Sequence, residues 1–360
     1  MKNFIHIGYP KNLSTSLQRT FFSKHPDISY LGIGSGGDIS YSDDIVDAFF
    51  EHDVKYCRRG EYEKKKSKII DHFAQIQEQA EQKDYKAFGA SSEHLCISVT
   101  SDSIETEEKA ARLAEVFGPE ANILVFIRNQ EGLIKSLYRE SIRTGYAGTF
   151  DEFVRYLYLF KERNFIPDLD YSTVLDIYSN WFGRDNIKIF VFEDYIASGG
   201  GLAMSGNQQK LVLDLQDALG LGASAIDIDH TNKPIPSDQL ERKRMLNLRD
   251  RHDLGNQLWG GTENHRLGVY WNTFLDAGLS EDEIFADVRC KRALLEEARN
   301  SESASGAHDP MYVLSDKASV YWGRLMESFT RSNITLQAEW FSEAESLPGC
   351  YFDNQKESSR

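Results

Sequence analysis

Cysteine is scarce in this chain of 360 residues: Cys57, Cys96, Cys290 and Cys350 are its only thiols, and none sits in a CxxC pair. No cysteine and histidine stand at metal-ligand spacing, which argues against a zinc module and against a disulfide framework. Reduced thiols are the expectation. Long hydrophobic runs are also missing, since nothing approaches the roughly 18 apolar residues of a membrane helix. The opening residues, Met1-Lys2-Asn3-Phe4-Ile5-His6-Ile7, enter a short apolar run directly. They lack the basic start, long apolar stretch and small-residue cleavage site of a secretion signal. A soluble, cytoplasmic protein without integral membrane contact is therefore expected. Positive charge is in deficit as well: 41 Lys and Arg against 56 Asp and Glu leave a net charge of -15. Such a chain does not coat nucleic acid or an anionic membrane through its overall field.

What is present is core material. Hydrophobic residues make up 41% and aromatics 12%, enough to exclude wholesale disorder. Short apolar runs at 4–7, 87–91, 123–127 and 187–192 read as strands. Helical patterns fill 14–23, 104–117, 131–143, 150–160 and 173–182, and residues 45–85 mix apolar and charged positions at helical spacing. Strands alternating with helices predict an α/β fold, a three-layer α/β/α arrangement around a parallel sheet, whose buried strands should be almost wholly apolar. A polar, glycine-rich stretch at 32–44 reads as a surface loop. Beyond a Gly/Ser break at 198–206 only helices are expected, at 210–219, 239–254 and 280–300. The division expected is an α/β core over 1–235 and a helical C-terminal extension over 236–360.

The first strand delivers Gly8-Tyr9-Pro10-Lys11-Asn12-Leu13-Ser14-Thr15-Ser16 to the edge of the sheet where such folds bind ligands. Backbone amides at the start of a helix, a lysine and a run of hydroxyls form an anion site. A Walker loop would place its lysine directly before the Ser/Thr, after a second glycine. Here Lys11 precedes Ser14 by three positions and that glycine is missing. The segment resembles the 5′-phosphosulfate loop of sulfotransferases that use 3′-phosphoadenosine 5′-phosphosulfate (PAPS), of pattern P-K-x-G-[ST]-[ST]. Pro10, Lys11, Ser14 and Thr15 match and Leu13 replaces the glycine; carbohydrate O-sulfotransferases with a K-x-[small]-S-T-S form also lack that glycine, and Lys11 with Ser14-Thr15-Ser16 is similar to theirs. A second element, 123–127 followed by Arg128-Asn129 and then Ser136-Leu137-Tyr138, is similar to the family's 3′-phosphate motif. An arginine fork with a hydroxyl suits a ribose 3′-phosphate. A weaker echo is Trp181-Phe182-Gly183 with Glu193-Asp194, read as architectural.

The resemblance implies sulfuryl transfer from PAPS to an acceptor hydroxyl, on a carbohydrate or glycan precursor, with release of adenosine 3′,5′-bisphosphate (PAP). It implies Lys11 at the bridging oxygen and Lys11, Asn12, Leu13, Ser14, Thr15 and Ser16 around the 5′-phosphate. Arg128 and Ser136 are then at the 3′-phosphate, and no metal is required. The general base stays open among Glu93, His94 and Asp38, the first two following the strand at 87–91. Seven basic residues between Lys55 and Lys68 form either a cleft edge for an anionic acceptor or a solvated helix face. Arg242, Lys243, Arg244, Arg249 and Arg251, and also Asn232-Lys233, are further candidates for closing the 3′-phosphate site. Trp259, Tyr270, Trp271 and Trp322 either stack on a sugar or pack helices. Two alternatives remain: a Mg²⁺-dependent nucleotide or small-molecule kinase with a degenerate P-loop, and a catalytically silent nucleotide-binding protein.

Overall fold

Five short strands, all parallel, make one sheet in the order β2-β3-β1-β4-β5. They are β1 (Lys2–His6), β2 (Ile28–Ile33), β3 (Ala87–Ser91), β4 (Asn122–Ile127) and β5 (Ile187–Val191). The computed structural model describes residues 1–33, 43–98, 103–196, 206–228, 236–254, 310–342 and 345–352. Asp38, Asn232-Lys233, Trp259, Tyr270, Trp271, Cys290 and the helix expected at 280–300 lie outside the described residues.

The helices are α1 (Ser14–Ser16, running on as a π-helix over Leu17–Phe22), α2 (Asp44–Ala48, likewise continued over Phe49–Asp53), α3 (Arg59–Gln82) and α4 (Thr106–Phe117). Then come α5 (Gln130–Arg143), α6 (Phe150–Leu159), α7 (Tyr171–Phe182), α8 (Gly206–Leu219), α9 (Ser237–Leu254) and α10 (Asp316–Trp340). The expected α/β class is what the structure shows. Every residue of β3 and β4 is buried, the signature of strands covered on both faces.

Side-chain alternation assigns the two faces. Phe4, Leu124, Phe126 and Phe190 point to one side, where they pack with Leu17, Phe21 and Phe22 and with Leu211, Leu215 and Leu219 of α8. Phe126 and Phe190 stack there at 4.7 Å. On the other side Phe88 meets Phe117 of α4, which joins Phe50 and Phe73 in an aromatic cluster.

β2 was not expected. Ile28 and Leu31 are buried while Ser29 and Tyr30 are only half-buried, so this edge strand lacks a continuous apolar run. Its pairing to β3 shifts between Tyr30 and Ile33, where Gly32 takes a φ of 117°. A glycine in that conformation produces a bulge and breaks the alternation a strand is recognised by.

The chain divides into two compact units, each made of separate stretches. One comprises Met1–Gln130, Phe160–Asn232 and Met326–Arg360 and holds the whole sheet. The other comprises Glu131–Leu159 and Lys233–Leu325. In the second, Tyr138, Tyr146, Phe150 and Phe153 form an aromatic core. Trp322 packs edge-on against Phe150 there, at 5.4 Å. Among the described residues no helix is long and apolar enough to cross a membrane.

Candidate functional site

In an open parallel sheet the crevice for ligands lies where neighbouring strands send their chains in opposite directions. That point falls between β1 and β4. After β1 the chain passes to β2 on one side, and after β4 it passes to β5 on the other. The β1 loop and the residues after β4 meet there: Arg128 Nη1 donates to the Lys11 carbonyl at 3.0 Å. The Asn12 amide donates to the Phe126 carbonyl at 2.8 Å and ties the loop down a second time.

The loop is a strained one. Lys11 and Leu13 have φ of 65° and 66°, in the left-handed region that glycine favours. Leu13 therefore adopts the conformation for which the resembled motif has a glycine, at about 1–2 kcal/mol of strain. Its side chain is nine-tenths buried in the core beside Leu17, and burial of a leucine gives about 1.5–3 kcal/mol in return. The helix that follows has no side-chain cap at Leu13, so its first amides are not answered by a capping group.

Behind the loop two polar atoms are buried without a hydrogen-bond partner, His6 Nε2 and Asn12 Oδ1. The His6 Nδ1 edge is satisfied by Ser91 Oγ at 2.7 Å, and the Gln18 amide donates to the same hydroxyl at 2.9 Å. Burial drives the His6 pKa down to about 3, so the ring is neutral. Gly8 is required by that ring, because a Cβ at Gly8 would collide with His6 Nε2.

The other expected residues are placed as follows. Ser14 is buried, its hydroxyl donating to the Tyr9 carbonyl at 3.3 Å, and Ser16 is buried as well. Lys11 and Thr15 are half-exposed at the loop's rim. Arg128 is half-buried, its guanidinium 4.5 Å from the centroid of the Phe192 ring. Ser136 is half-buried on α5 in the second unit, and Tyr138 of the same motif is core, its hydroxyl donating to the Gly148 carbonyl. Glu193 accepts from the Asn129 amide at 2.9 Å and from the Tyr351 hydroxyl at 2.8 Å, an architectural role. Arg244 is engaged with Glu241 at 2.6 Å and with the Ala147 carbonyl at 2.9 Å.

Glu93 and His94 lie in the turn that follows β3, half-buried. Since β3 pairs with β1 and Ser92 donates to the His6 carbonyl at 3.0 Å, this turn shares the sheet edge with the Lys11 loop. Burial, and then the ammonium of Lys55, lower the His94 pKa to about 4. Lys109 supports the turn from below: its buried ammonium donates to the carbonyls of His94 at 3.0 Å and Ile97 at 3.3 Å. Sequence reasoning overlooked Lys109, though Thr106, Lys109, Ala110, Leu113 and Phe117 share the buried face of α4. A lysine inside an apolar stripe was the available signal. Two tyrosines were also overlooked. The Tyr171 hydroxyl donates to the Arg128 carbonyl at 2.5 Å, and Tyr9, 4.9 Å from the Tyr171 ring, donates to the Asp168 carbonyl at 2.6 Å.

The basic stretch after Lys55 is largely paired within the protein. Lys55 meets Glu51 at 2.9 Å, Lys64 meets Glu61 at 2.6 Å, Lys65 meets Asp53 and Lys66 meets Glu115. Pairing of this kind removes most of the local positive field that the sequence suggested.

The protein defined by this fold is an α/β protein with a lysine loop and an arginine at the switch point of a parallel sheet. No protein-family model matches the chain, and no curated protein matches it. Among solved structures it is similar to a sulfotransferase from Alicyclobacillus acidocaldarius. Identity is 18%, the match covers 72% of this chain and 97% of that one, and the TM-score is 0.42. A likeness at this level carries no functional argument.

Proposed function

We propose that this chain is a sulfotransferase that takes a sulfuryl group from PAPS and gives it to a hydroxyl of a carbohydrate or glycan precursor. The observation that carries the reading is the Arg128–Lys11 hydrogen bond of 3.0 Å. It joins two motif residues 117 positions apart at the point of the sheet where ligands bind. The residues fit an anionic nucleotide. The helix start is uncapped, and Lys11 and Arg128 supply cationic donors.

In this reading the loop from Lys11 to Ser16 holds the 5′-phosphate, with backbone amides and Thr15 donating. Ser14 contributes by fixing the loop, because its proton is used on the Tyr9 carbonyl. Arg128 holds the 3′-phosphate. The donor supplies an activated sulfuryl group. Lys11 neutralises the charge left on the bridge oxygen as that bond breaks. Glu93 takes the proton of the attacking hydroxyl. His94 is the poorer acceptor, since burial and the nearby ammonium of Lys55 disfavour its protonated form.

Calorimetric titration with PAP, and separately with ATP, each with and without Mg²⁺, tests the donor site. Metal-independent PAP binding is expected, weakened about tenfold to a hundredfold in Lys11→Ala and in Arg128→Ala, as for lost hydrogen bonds from charged groups. Binding of ATP alone, and only with Mg²⁺, would sink the proposal and favour the kinase reading.

A further inference from the structure

The junction of α2 and α3 contains a cavity of about 520 Å³. His52, Tyr56, Cys57, Arg58, Glu61, Lys64 and Lys65 line it. Two of these, His52 and Cys57, and the buried Asp53 behind them bring one donor atom each to within 4.8 Å of one another. Nothing in the sequence advertises this, since two adjacent residues and a third four positions further on match no metal-ligand spacing. The π-helical turn over Phe49–Asp53 and the bend after it produce the convergence, with the amides of Lys55, Tyr56 and Cys57 all donating to the His52 carbonyl.

We propose that His52, Asp53 and Cys57 form a binding site for a zinc-class divalent ion, with the cavity providing its fourth, open coordination position. Imidazole nitrogen, carboxylate oxygen and thiolate sulfur are the donors such an ion takes, at about 2.0–2.3 Å in tetrahedral geometry. Donors that lie within 4.8 Å need to close by about an ångström to reach that geometry. His52 Nδ1 and Asp53 Oδ1 are already 2.9 Å apart.

Two features support a built site. The backbones of two donors are clamped from inside: the buried guanidinium of Arg112 donates to the Asp53 carbonyl and, at 2.7 Å, to the Cys57 carbonyl. Arg112 is itself fixed by Glu108 at 2.7 Å and by the face of Tyr62 at 4.3 Å. Pre-organised donors of this kind are what a metal site requires of its surroundings. The second feature is that the buried Asp53 carboxylate already holds a cation, the ammonium of Lys65. Lys65 reaches it from a partly exposed position. It can turn outward when a metal ion takes its place. Zinc with one carboxylate and one thiolate is charge-neutral, the thiol proton of Cys57 being released to solvent on binding.

The test is a titration of the full-length protein with Co²⁺, followed by absorption. A saturable, one-to-one near-ultraviolet thiolate-to-cobalt band with tetrahedral visible bands is expected. Zn²⁺ should abolish it by competition. Cys57→Ser should remove the charge-transfer band, and His52→Ala, at a side chain 61% exposed and therefore safe for the fold, should weaken binding by roughly tenfold or more. Lys65→Met should make the band saturate at lower cobalt, because no ammonium then competes for Asp53. Absence of a saturable band, or a band that survives Cys57→Ser or is unmoved by His52→Ala, would overturn the proposal. None of these readouts depends on sulfuryl transfer.

Discussion

A neutral imidazole sealed beneath the loop makes His6 sensitive to acid. In the folded protein it titrates at about 3, in the unfolded chain near 6.5. Between these values the unfolded state binds a proton that the folded state refuses, so stability falls as the pH drops below about 6.5. Each such histidine gives a slope of about 1.4 kcal/mol per pH unit in that window; no stability is lost above it, and the loss is complete below the folded value. His94, lowered to about 4, adds to the same slope. Urea unfolding at pH 7.5, 6, 5 and 4.5 should therefore show a steepening loss of stability. His6→Asn, whose amide can still meet Ser91, should lose the His6 share of that slope, while His25 and His94, both also lowered by burial, leave the rest. An unchanged slope in the variant would mean that other groups govern the acid transition.

Arg112 shows how one buried side chain fixes several elements. From α4 it reaches the carbonyls of Asp53 and Cys57, which lie on the turn between α2 and α3, while its own charge is met by Glu108 one helical turn away. Replacement by alanine strands two carbonyls and a carboxylate, at a cost of about 3–5 kcal/mol. Replacement by lysine keeps the charge but not the fork, so it should recover only part of this. Chemical denaturation midpoints of the two variants check the order. The elements themselves were legible in the sequence to different degrees. β4 was plain because Ile123 to Ile127 are buried on both faces and therefore uniformly apolar. β2 was hidden by its edge position and by Gly32. The π turns at Leu17–Phe22 and Phe49–Asp53 follow no local pattern, since tertiary packing decides where a helix widens.

At the scale of the molecule, the sheet-bearing unit is completed by residues from the far end of the chain, Met326–Arg360. Tyr351 is wholly buried, donates to Glu193 at 2.8 Å, and has its carbonyl held by Asn333 at 3.0 Å. Asn333 in turn exchanges hydrogen bonds with Gln130, at 2.8 and 3.0 Å. Asn129, between Arg128 and Gln130, gives its amide to Glu193 and its side chain to the Cys350 carbonyl. The Arg128 turn is thus held on one side by the Lys11 loop and on the other by the C-terminal segment. Only the first of these relations was legible in the sequence, because Lys11 and Arg128 each sit in a local pattern at a strand end. Tyr171 and Tyr351 act through contacts 43 and 158 positions away, which no local pattern encodes. Tyr351→Phe keeps the ring and removes one hydrogen bond to a carboxylate, so a loss of about 1.5–3 kcal/mol is expected on unfolding. Because Glu193 also holds Asn129, the variant should bind PAP more weakly than the parent at a temperature where both are fully folded. A variant that loses stability and binds PAP as tightly as the parent would show that the C-terminal segment supports the sheet without steadying Arg128.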